Sequence, residues 1–150
     1  MATQAPEIVL EALAYGITGD LDAGLELLQP LVDAGPRSTY ALLATLAETC
    51  AVRAQMVNVD GTQYGIEVEG PDGPASVDDL APHVRFAIRF VTAWINRDRD
   101  TAMALFWAVG HHADGYGTDD LANAIRCVYE MAVADAEVVL IAKRRRAESQ

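Results

Sequence analysis

Two stretches of this chain nearly repeat each other. Residues 15–28 read Y-G-I-T-G-D-L-D-A-G-L-E-L-L, and residues 93–106 read A-W-I-N-R-D-R-D-T-A-M-A-L-F. In register, Ile17 matches Ile95, Asp20 matches Asp98, Asp22 matches Asp100 and Leu27 matches Leu105. Each copy reads as a helix end, a polar turn with two spaced aspartates, and a new helix start. Aspartate suits such a start because its side chain accepts hydrogen bonds from the first unpaired backbone N–H groups. The duplication is therefore one of shape, and it predicts an all-α scaffold.

The expected fold is one compact domain, 1–150, of about six helices. Two approximate three-helix units, 5–55 and 78–145, are joined by 56–77, with a short extended or β-hairpin-like insert at 57–69. A first helix over 5–18 has Pro6 in its first turn and ends at Thr18-Gly19. A second, capped by Asp20 or Asp22, runs to Asp33, with Asp22, Glu26, Gln29 and Asp33 outside and Leu21, Leu25, Leu28 and Val32 inside. Pro30 should kink or shorten it. Ala34-Gly35-Pro36 is a stop and turn. Ser38 or Thr39 then caps a third helix to about Gln55.

From Met56 the pattern changes. Val57-Asn58-Val59 and Ile66-Glu67-Val68 alternate around Asp60-Gly61, as a hairpin does. Gly70-Pro71-Asp72-Gly73-Pro74 is a turn. A fourth helix, about 78–96, has only Arg85, Arg89, Thr92 and Asn96 as a polar strip; Arg85 and Arg89 can pair with Asp78. The fifth starts at Asp98 or Asp100 and has no charged side chain from Ala102 to Gly110. Thr118 caps a sixth, long helix reaching about Arg145. Its apolar face carries Leu121, Ile125, Val128, Ala132 and Val139.

The helix–turn–helix pieces resemble tetratricopeptide-type repeats in a general way, through Gly19-Asp20, Ala23 and Leu27. That family repeats at about 34 residues, whereas the copies here lie 78 apart and lack its aromatic signature. Glu130, Asp135 and Glu137 bring to mind the all-α nucleotide pyrophosphohydrolases, which present Glu-x-x-Glu and Glu-x-x-Asp on facing helices. The spacings of five and two found here do not place three carboxylates on one face in that way.

Charge and cysteine usage narrow the function classes. The net charge is −11, and four of the eleven basic residues are Lys143, Arg144, Arg145 and Arg146. Residues 1–142 therefore hold 7 basic and 21 acidic side chains, a net of −14. So acidic a body repels nucleic-acid phosphates, and no direct nucleic-acid binding is expected. The cationic end complements a helix dipole. Cys50 and Cys127 fall inside apolar helical patterns, as free cysteines of a reducing, cytoplasmic setting do. No basic segment precedes Glu7, and no apolar run is long enough for a bilayer; as a helix, Ala102–Gly110 covers only about 14 Å. No membrane association is expected.

The chemistry-bearing candidates are few. The segment 111–120 holds His111, His112 and Asp114, residue types that bind divalent metals. Adjacent histidines diverge on a helix, however, and only Asp114 precedes Gly115, so neither zinc nor calcium spacing is met. A helix end, a glycine turn and an acidic N-cap account for the same residues. Asp20/Asp22 and Asp98/Asp100 serve as caps. No nucleophile motif, phosphate-cradling loop or dinucleotide fingerprint occurs, and no cofactor is expected.

Apolar surface is the remaining signal. Phe90, Trp94, Phe106 and Trp107, with Val138 and Ile141, exceed what one face of each helix buries, and they are the candidate interface residues. The expected function is a non-catalytic acidic interaction or regulatory module that forms homodimers, with a protein partner as a further possibility. The alternatives are a small-molecule or metal enzyme at 111–120, and an acidic mimic occupying a basic nucleic-acid-binding surface.

Overall fold

The computed structural model describes residues 4–57, 69–70, 73–74, 76–112, 115–116 and 119–149. They form six α-helices: α1 (Gln4–Ile17), α2 (Leu21–Asp33), α3 (Pro36–Val57), α4 (Pro82–Ile95), α5 (Arg99–Gly110) and α6 (Asp119–Glu148). A single 3-10 turn, Val77–Asp79, precedes α4. Two-residue strand pairs join Glu69–Gly70 to Gly73–Pro74 and His111–His112 to Gly115–Tyr116. The all-α expectation holds. The pairing expected between 57–59 and 66–68 and the Thr118 cap lie outside the described residues, and Val57 itself ends α3.

The two corners of the near-repeat are built alike. At the first, Gly19 N–H donates to Gly16, Asp20 N–H to Tyr15, and Gly24 N–H to Asp20. At the second, Arg97 donates to Trp94, Asp98 to Ala93, and Ala102 to Asp98. Each bond has its counterpart at a constant offset. Both corners turn through a left-handed residue: Gly19 at φ 97° and Arg97 at φ 62°. Both aspartates cap: Asp20 Oδ1 accepts from Ala23 N–H at 3.1 Å, and Asp98 Oδ1 from Thr101 N–H at 3.2 Å. The Thr101 hydroxyl at 2.6 Å, with the Thr101 N–H, holds the Asp98 carboxyl below the usual aspartate range.

Two helix starts differ from expectation. Helix α4 begins at Pro82 and not near 78, after the 3-10 turn. α3 begins at Pro36, not at Ser38 or Thr39. Proline suits the first helical position because its missing N–H has no partner there anyway, and Ala34 with Gly35 at φ 117° makes a two-residue link. Thr39 is fully buried, and its hydroxyl donates to Gly35 O at 2.8 Å and approaches Val32 O at 3.3 Å. It therefore ties α3 to the end of α2 instead of capping. Pro30 does not shorten α2, which continues to Asp33.

The helices α3 and α6 pack together at the centre. Helix α1 leans on α6, and α4 on α3 and α6. The core is continuous, from Val9, Leu13 and Leu28 through Leu43, Leu46 and Cys50 to Phe90, Phe106, Val128 and Tyr129. At one end α1, α2 and α6 meet around Tyr129, whose hydroxyl donates to Ala12 O at 2.6 Å in a fully buried position. Burial raises the Tyr129 phenol above its ordinary range. Replacing Tyr129 by phenylalanine keeps the ring and removes one buried bond, so a loss of about 1 kcal/mol is expected in chemical denaturation.

Candidate functional site

The aromatic residues read as an interface divide into two groups. Phe90 and Phe106 are fully buried within the single chain and are not available to a partner. Tyr40 of α3 closes over them, with ring centroids 6.0 Å from Phe90 and 5.4 Å from Phe106. This third helix is what the apolar circumference of α4 was made to meet. Trp94 is half-buried: its indole N–H donates to Glu48 Oε2 at 2.8 Å, and the Arg99 guanidinium lies 4.3 Å from its ring centroid. On α5, Trp107 and Met103 remain 40% exposed side by side.

The pairing of Arg85 and Arg89 with Asp78 is present. Arg89 forms an ion pair with Asp78, and Arg85 donates to the Asp78 carbonyl oxygen at 3.3 Å. In the segment 111–120, His111 pairs with Tyr116 and His112 with Gly115 through the backbone. The side chains of His111 and His112, and Asp114 altogether, lie outside the described residues. Among the described residues no group of three or more potential metal ligands occurs.

A partly buried polar cluster links α3 to α6. Cys50, Arg53 and Asp135 meet there, with Arg53 Nε 3.5 Å from Asp135 Oδ1, an ion-pair distance without a hydrogen bond. Burial pushes both the Cys50 thiol and the Asp135 carboxyl up, and the neighbouring carboxylate raises the thiol further. A protonated thiol is a poor nucleophile. Cys50 should therefore resist iodoacetamide at pH 8 in the native chain and react only on unfolding; rapid native alkylation of Cys50, read by peptide mass spectrometry, would contradict this geometry.

Helix α6 carries exposed apolar surface, as α1, α3 and α5 also do. Its buried residues end at Val133, so the final fifteen positions, 134–148, contain none. That half projects along the edge of the body with apolar residues on two opposite sides, as 3.6 residues per turn dictates. One side holds Ala136, Val139, Leu140 and Lys143. With Leu10, Leu13, Ala14 and Ile17 of α1 and Thr49 and Val52 of α3, these line a groove of about 370 Å³.

The other side of α6 holds Val138 and Ile141, each 42% exposed. They belong to a longer stripe, Cys127, Met131, Ala134, Val138, Ile141 and Arg145, spaced four, three, four, three and four. This is the spacing of a coiled-coil seam. Cys127 and Met131 pack partly against the chain's own core, and the stripe then runs on uncovered. Reading α6 for one broad face hid this second periodicity, although the spacing is present in the sequence.

No protein-family model matches this chain, and neither a curated protein nor a solved structure shows significant similarity to it. Among the described residues, no helix is long and apolar enough to cross a membrane.

Proposed function

We propose that this chain is a non-catalytic helical interaction module that pairs with a second copy of itself through the outer face of α6. The observation that carries the reading is the uncovered four–three stripe at Ala134, Val138 and Ile141, continuous with residues that already pack. Charge favours an antiparallel arrangement. Parallel pairing would set Arg145 against Arg145 in the seam. Antiparallel pairing places Glu137 of one copy beside Arg144 of the other, and flanking charges of this kind set orientation.

The test is sedimentation equilibrium of the full chain over a wide concentration range. A monomer–dimer equilibrium is expected. A monomer at every concentration removes the reading. Glu137→Arg should weaken the dimer, and adding Arg144→Glu should restore it.

A further inference from the structure

The groove between α1, α3 and α6 has a lining at odds with the rest of the chain. The protein carries 22 acidic side chains and 11 basic ones, yet no carboxylate lines the groove. Its single charged residue is Lys143, the chain's only lysine. The remaining walls are aliphatic, from Leu10, Leu13, Ile17, Val52, Val139 and Leu140, with no aromatic ring. Thr49, the one hydroxyl, donates to the Thr45 carbonyl oxygen at 3.4 Å. A volume of about 370 Å³ falls within the range of small-molecule sites, roughly 300–1,000 Å³.

We infer that this groove binds a free single-chain amphiphile with a carboxylate head: a fatty acid. The flexible alkyl chain matches an aliphatic trough without flat walls. The ammonium of Lys143 supplies the counter-charge, on a stem that itself covers apolar surface. The groove lies on the side of α6 opposite the stripe at Val138 and Ile141, so this inference stands independently of self-association.

Having one lysine gives a direct readout. Reductive methylation with ¹³C-formaldehyde keeps the charge and yields one side-chain lysine signal, separate from the α-amino group. Laurate, below its micellar concentration, should shift that signal saturably at one equivalent per chain. Dodecyltrimethylammonium has the same tail and the opposite head, and should bind at least about tenfold more weakly. Non-specific adsorption to so acidic a body would favour the cation instead, so equal or tighter binding of the cation overturns the inference.

Two exposed-site variants complete the test by calorimetry. Lys143→Gln should weaken laurate about tenfold or more, and Ala14→Phe should fill the trough and abolish binding, both with melting temperatures near that of the parent. Unchanged laurate affinity in Ala14→Phe, or no saturable binding by the parent chain, overturns it as well.

Discussion

Replacing Gly24 by alanine is expected to destabilise the fold by about 3 kcal/mol, as overpacking a tight core does. In an ordinary helix interior the same change stabilises by about 1 kcal/mol, because glycine has more backbone freedom to lose. The sign reverses here through contact. A Cβ at Gly24 would lie 2.7 Å from the Ala12 carbonyl oxygen and 2.7 Å from Tyr129 Cζ, and would collide with the Tyr129 hydroxyl. Backbone on one side and a locked ring on the other leave nothing to yield. Gly16 approaches the same ring, where a Cβ would stand 2.7 Å from the hydroxyl.

Thermal unfolding should show the Gly24→Ala midpoint falling by roughly 10 °C. Trimming Tyr129 to leucine opens the space, so the double variant should lose less than the two single losses added together. A midpoint that rises on Gly24→Ala would mean that α1, α2 and α6 do not meet this closely. Gly19→Ala is the contrast. Nothing lies within 4 Å of its Cβ position, and only the left-handed backbone at φ 97° opposes the change, at a cost of about 1 kcal/mol.

Placing glutamate at both Val138 and Ile141 is expected to weaken self-association at least about 100-fold. Full burial of each aliphatic side chain contributes about 1.5–3 kcal/mol, and every 1.4 kcal/mol is tenfold in affinity. The chain itself should stay folded, because exposed substitutions usually change stability by less than about 0.5 kcal/mol. Glutamate is also a better helix former than valine or isoleucine, so a lost dimer cannot be blamed on a lost helix. Circular dichroism and light scattering on the same sample separate the two effects. A double variant that remains dimeric places the contact elsewhere.

The helices and their corners were legible because local chemistry decides them. Asp20 and Asp98 announce helix starts, Gly19 announces a stop, and the stripe at Leu21, Leu25, Leu28 and Val32 gives the inner face of α2. The start of α3 misled because Ser38 and Thr39 have the chemistry of a cap, and only the packed fold shows Thr39 buried against Val32 and Gly35. Phe90 and Phe106 read as surplus apolar surface until Tyr40, 50 and 66 residues before them in sequence, is seen closing over them. The groove was invisible for the same reason: α1, α3 and α6 meet only in three dimensions. The close approach at Gly24 likewise depends on a ring from a helix at the far end of the chain.

The Tyr129–Ala12 hydrogen bond spans 117 residues. During synthesis the α1–α2 corner can form as soon as it emerges, since its partners are neighbours in sequence. Its seal is made by α6, which is translated only after α1 to α5. Until α6 arrives, α1 lacks part of the surface it finally packs against, and so long a contact is slow to close. The nascent chain must therefore wait with a half-open amino-terminal corner, and a ribosome stalled before α6 would hold a species suited to capture by a chaperone.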